Sequence, residues 1–158
     1  MEAPTSKHQL AAGEIYRQIA NFIIENDGKC QVYIAPTDVQ IKKDNRTMVE
    51  PDVFIVCDED KQRNKCIYGA PDFILEVLSK PTTRKDMTIK MSLYKKAGVK
   101  EYWLLDPEKR RLQIYRFDQG ETPIICGLDK PQPIGIYDGR LEIDFTYVNR
   151  LLDKIKES

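Results

Sequence analysis

Glu76 stands inside Asp72-Phe73-Ile74-Leu75-Glu76-Val77-Leu78, an otherwise apolar run with the composition of a strand buried on both faces. A carboxylate in such a place is costly unless a cation or hydrogen-bond donors meet it. A second acid, Asp52, opens the preceding apolar run, Val53-Phe54-Ile55-Val56-Cys57. Two acids placed where apolar strands disfavour them suggest a metal site.

The next stretch of sequence supplies a cation. Residues 83–97 read as a helix ended by Gly98. At about 100° per residue, with Asp86 as zero, Lys90 falls at about 40°, Leu93 at about 340°, Tyr94 at about 80° and Ala97 at about 20°. Ile89 lies at about 300°. Asp86 and Lys90 therefore sit within the apolar stripe, and Lys95 and Arg84 lie on the far side. An ordinary i,i+4 ion pair would satisfy Asp86 and Lys90. The short loop from the Glu76 strand to this helix also lets Lys90 approach Glu76. Three acids and one lysine leave excess negative charge, which a divalent cation would neutralise. Carboxylates without His or thiolate partners select hard ions, Mg²⁺ or else Mn²⁺. Such an ion can activate water and hold a phosphate oxygen, with a lysine adding positive charge at the phosphate or positioning the water.

The elements that would position these groups follow from periodicity. A chain of 158 residues with an ordinary globular composition predicts one domain, spanning 1–158. Ser6 to Asn26 reads as an amphipathic helix through Ala12, Ile15, Ile19, Phe22 and Ile23. Strands are expected at 31–35, 38–42 and 53–57, with 43–46 as a hairpin tip and 58–64 as a charged loop. After the Glu76 strand and its helix come strands at 101–105 and 111–117. Short strands near Ile124 and Leu141 follow, then a terminal helix from about Tyr147. The order predicts an α/β fold, a central mixed β-sheet flanked by α-helices.

Glu50-Pro51-Asp52, followed by Ala70-Pro71-Asp72-Phe73-Ile74-Leu75-Glu76-Val77-Leu78-Ser79, resembles the PD-(D/E)XK nuclease superfamily. The closer resemblance is to the Uma-type restriction-endonuclease-like family. It continues through Asp86, Lys90, Tyr94, Gly98-Val99, Glu101-Tyr102-Trp103 and Asp106-Pro107, and includes Pro4-Thr5-Ser6-Lys7-His8. It implies a restriction-endonuclease-like core and Mg²⁺-dependent hydrolysis of DNA phosphodiester bonds. Asp52, Glu76 and the Val77 carbonyl would be the metal ligands, and Lys90 the catalytic cation with Asp86 positioning it. The superfamily's lysine two residues after the second acid would fall on Leu78, which carries no charge. Lys90 takes that role from the helix, in preference to Lys80. Proteins of this kind carry a further N-terminal segment with a Glu-bearing hairpin before the equivalent of Ala3-Pro4, so the chain reads as a short form. The alternative is a non-catalytic nuclease-fold domain for nucleic-acid or protein interaction.

Other residues are weaker candidates. Glu14 reads as a solvated helix charge or an auxiliary acid facing the site. His8, the one histidine, reads as a helix-start residue and leaves a metal–histidine or Ser-His-Asp mechanism little to build on. Ser79 reads as a cap for the following helix or its loop. Tyr102 and Trp103 read as packing residues, and Lys109-Arg110-Arg111 as a solvated hairpin tip. Lys80, Arg84 and Lys85 are candidates for DNA-phosphate contact. Lys plus Arg equals Asp plus Glu, 25 against 25, so DNA affinity must come from a local patch. A homodimer fits the cutting of both strands, although no interface is visible in the sequence. Cys30 and Cys57 read as buried reduced thiols, and no membrane-length apolar run appears. A cytoplasmic setting fits both.

Overall fold

The computed structural model describes residues 3–44 and 46–158. A 20-residue helix α1 (Ser6–Glu25) opens the chain, and the Thr5 side chain accepts the His8 N–H at its N-terminus. Its buried stripe is Ala11, Ala12, Ile15, Ile19 and Ile23. The strands that follow are β1 (Gln31–Ile34), β2 (Val39–Gln40), β3 (Met48–Val49), β4 (Val53–Val56), β5 (Ile67–Tyr68) and β6 (Phe73–Val77). Helix α2 (Arg84–Ala97) leads to β7 (Glu101–Asp106), β8 (Arg111–Arg116), β9 (Ile124–Gly127), β10 (Gln132–Pro133) and β11 (Glu142–Ile143). Helix α3 (Thr146–Lys154) follows β11. The tip expected at 43–46 includes Asn45, outside the described residues; β2 and β3 pair antiparallel on either side of it.

The main sheet has six strands in the order β1-β4-β6-β7-β8-β9. Only β6 and β7 among these neighbours run parallel, because α2 carries the chain back between them. The sheet separates two cores, as the alternation of a strand requires. Val53, Ile55, Phe73, Leu75, Trp103, Leu105, Leu112 and Ile114 pack with α1 and α3. Phe54, Val56, Ile74, Tyr102, Leu104 and Tyr115 pack on the other face with Tyr94 of α2. Helices therefore cover both faces of a mixed sheet. Tyr102 and Trp103 are packing residues, nearly or fully buried on opposite faces.

One expectation fails. Cys30 and Cys57 are joined in a disulfide rather than standing as two reduced thiols. The reason is register: Gln31 faces Val56 across β1 and β4, so the next pair outward is Cys30 opposite Cys57. Cys66 and Cys126 are free.

Candidate active site

Antiparallel pairing of β4 with β6 brings the start of one strand to the end of the other. Val53 faces Leu75, so Asp52 arrives beside the Glu76–Val77 end of β6. By strand parity Glu76 shares the α2-facing side with Ile74. It remains in that apolar surrounding with only 7 % of its surface exposed.

Two donors meet the Glu76 carboxylate. Lys90 forms an ion pair with Oε2, and the Tyr94 hydroxyl donates to Oε1 at 3.1 Å. Lys90 and Tyr94 are four residues apart on α2, so both project toward β6. Burial pushes the Glu76 carboxyl above the usual carboxylate range, and the nearby Asp52 charge pushes the same way; Lys90 and Tyr94 oppose them. Burial, with Glu76 beside it, likewise drives the Tyr94 phenol far upward, so it stays a donor.

Asp52 is pinned from two sides. The Val77 backbone N–H donates to Oδ2 at 2.8 Å, and His8 Nε2 lies 3.0 Å from Oδ1. His8 is almost fully buried, and its Nδ1 is 2.9 Å from Gln9 Oε1. Burial disfavours a charged His8, but the hydrogen bond and charge of Asp52 outweigh it and raise the imidazole pKa. His8 is thus part of the cluster rather than a plain helix-start residue. The sequence signal for it was slight: a Thr-x-x-His spacing that places the ring on the first turn of a capped helix.

The other candidates are distributed more widely. The apolar stripe of α2 runs from Leu93 and Ala97 through Tyr94 to Met87 and Met91, from about 340° to about 140° with Asp86 at zero. The two methionines widen it on the side away from Asp86, which is left near its edge in the first turn. Asp86 is consequently exposed and makes no ion pair with Lys90. The Thr83 side chain, not Ser79, caps α2 through the Asp86 N–H at 3.1 Å. Arg84 and Lys85 lie exposed in the first turn of the helix. Lys80 is exposed in the loop before it. Glu14 is buried in a different network, where it accepts from Arg17 (2.7 and 2.6 Å) and Gln18 (2.9 Å). Gln18 in turn donates to the Asp144 carbonyl. Leu78 continues the ladder after Val77 through its N–H to the Leu105 carbonyl, and it is half-buried.

The cluster is therefore Asp52, Glu76, His8, Lys90 and Tyr94 at one end of β4 and β6. Among the described residues no three His, Cys, Asp or Glu groups form a ready-made metal cage. The oxygen donors nonetheless have the chemistry of a hard-cation site.

A mixed sheet of this order with helices on both faces, and two acids at the ends of adjacent central strands, is a restriction-endonuclease-like architecture. The chain matches the model of the Uma2 family, described as "Putative restriction endonuclease", over residues 1–133, and it belongs to that family. Among solved structures it is similar to one titled as a "putative nuclease belonging to DUF820" from Anabaena variabilis. The TM-score is 0.76 at 18% identity, covering 96% of this chain and 84% of that one. No curated protein matches the sequence.

Proposed function

We propose that the protein is an endonuclease that hydrolyses DNA phosphodiester bonds with the help of a divalent cation. The observation that carries this reading is the convergence of Asp52 and a buried Glu76 at one sheet end, with Lys90 reaching Glu76 from α2. Membership of the Uma2 family supports it.

Carboxylate oxygens with no thiolate among them suit Mg²⁺ or Mn²⁺. Asp52 and Glu76 would hold the ion, with the Val77 carbonyl as third ligand. Within a strand the N–H and C=O of one residue point to the same side, and the Val77 N–H points at Asp52. The bound ion would polarise a phosphate oxygen and make an attacking water more acidic. The chain's own groups prepare the site. His8 and the Val77 N–H fix the Asp52 carboxylate, and Tyr94 fixes one oxygen of Glu76. Lys90, with its amine-bearing side chain half exposed, supplies positive charge beside the phosphate and orients the water. It does so in place of a lysine at position 78. Asp86, exposed and unpaired with Lys90, is left out of this role, and Lys80, Arg84 and Lys85 contact neighbouring phosphates. A homodimer would present two such sites to the two strands.

A second reading, a non-catalytic nuclease-fold domain, draws on the fact that every oxygen of Asp52 and Glu76 already meets a group of the chain. The hydrolytic reading is preferred because a carboxylate has about four acceptor positions. The two readings separate in a nicking assay on supercoiled DNA with Mg²⁺. The wild type converts plasmid to open circle; Asp52→Ala and Glu76→Ala lose this activity, and Lys90→Met lowers it by about 10²-fold. Nicking that survives both carboxylate changes contradicts the mechanism.

A further inference from the structure

Beyond Glu76, on the same face of the sheet, a groove of about 350 Å³ runs from the end of β6 to the β7–β8 turn. Its floor includes Leu78, Met87 and Leu104, with Pro81 on the exposed wall, and its rim carries Lys109 and Arg111. Register ties it to the candidate site, since Leu104 is the direct neighbour of Glu76 across β6 and β7. Leu78 follows Glu76 by two residues and shares its face.

The charge on the rim is less balanced than the sequence suggests. Asp106 and Glu108 also line the groove, yet both are committed elsewhere. Asp106 Oδ1 accepts the N–H groups of Glu108 and Lys109 at 3.0 and 3.1 Å within its own turn. Glu108 pairs with Lys7 at 3.2 Å. Arg110 is held by Asp153 at 2.6 Å, whereas Lys109 and Arg111 are exposed and have no acidic partner among the described residues. The basic run thus divides into one structural arginine and two cations left facing the groove.

We infer that this groove binds one unpaired nucleotide of a single-stranded polynucleotide next to the scissile phosphate, its base on the aliphatic floor and its backbone phosphate on Lys109 and Arg111. The inference rests on the nuclease reading for the site next door. A duplex keeps its bases stacked and could offer the rim only its phosphates; a flexible strand can turn a base down to the floor. No aromatic ring lines the groove, and of its lining residues only Gln113 sets an amide directly beside the aliphatic floor, next to Leu104, so the base is held mainly by its apolar face. On this view Leu78 belongs to the floor, where a lysine would be out of place, and the charge moves to Lys90.

The test is binding, read without hydrolysis. Fluorescence anisotropy in EDTA compares a labelled 12-nucleotide single strand with its duplex, for wild type, Lys109→Glu/Arg111→Glu and Thr82→Trp, the last filling the groove from its exposed wall. Circular dichroism checks each fold. Tighter binding of the single strand by wild type is expected. Its loss by about ten-fold or more is expected in the charge-reversed variant, with a several-fold loss in Thr82→Trp. Equal or tighter binding of the duplex by wild type, no binding of the single strand, or variants that bind like wild type would overturn the groove. Failure of the nuclease reading looks different: no nicking with Mg²⁺, whatever the anisotropy shows.

Discussion

Glu76 is the more deeply buried of the two acids in the site. Its burial favours the neutral acid, and Lys90 and Tyr94 return part of what desolvation removes. In the metal-free protein its carboxyl should titrate above the ordinary carboxylate range, followed by carboxyl-carbon NMR. Tyr94→Phe removes a hydrogen bond to the ionised form and should move the midpoint further up; a midpoint that stays or falls would show that the hydroxyl does not serve the charge. The linkage has a definite sign. An acid whose folded pKa is raised adds stability below its unfolded value and loses it as pH rises through the folded value. His8 is also raised, so its contribution too is present below its unfolded pKa and fades on the alkaline side. Glu76 and Lys90 were legible in the sequence because an acid in an apolar strand demands a partner and the next helix offers one. His8 was not, since its contact with Asp52 depends on how the start of α1 meets the start of β4, which no local pattern records.

At the scale of elements, apolar β6 and the capped α2 were readable from periodicity and punctuation alone. The short strands β3, β5 and β10 were not: pairs of residues such as Ile67-Tyr68 become strands only through their partners. The face of α2 was read too narrowly for a different reason, because Met87 and Met91 widen the stripe on the side away from Asp86. The Cys30–Cys57 bond belongs to this scale too. It ties β1 to β4, the strand that Asp52 precedes, across a sequence separation of 27. Reduction should lower stability by about 3 kcal/mol, measured by urea denaturation with and without dithiothreitol. Peptide mapping should recover this pair linked, and Cys66 and Cys126 free. Identical unfolding curves in the two conditions would remove the bond from the account of the fold.

The whole molecule is a six-stranded mixed sheet between two apolar layers, with the acids at one end of its central strands. No helix among the described residues is long and apolar enough to cross a membrane. Its balanced charge means that the proposed nucleic-acid binding must rest on local features, and Lys109 and Arg111, exposed beside the candidate site, are one such feature. The general fold could be read from the order of elements, but the strand order could not, because β4 and β6 meet through long-range register rather than adjacency in sequence. That meeting brings two acids together where they would hold a divalent ion. A crystal soaked in Mn²⁺ tests it directly by anomalous scattering. A peak within coordination distance of both Asp52 and Glu76 is expected. No peak there, with Glu76 still engaged only by Lys90 and Tyr94, would contradict it.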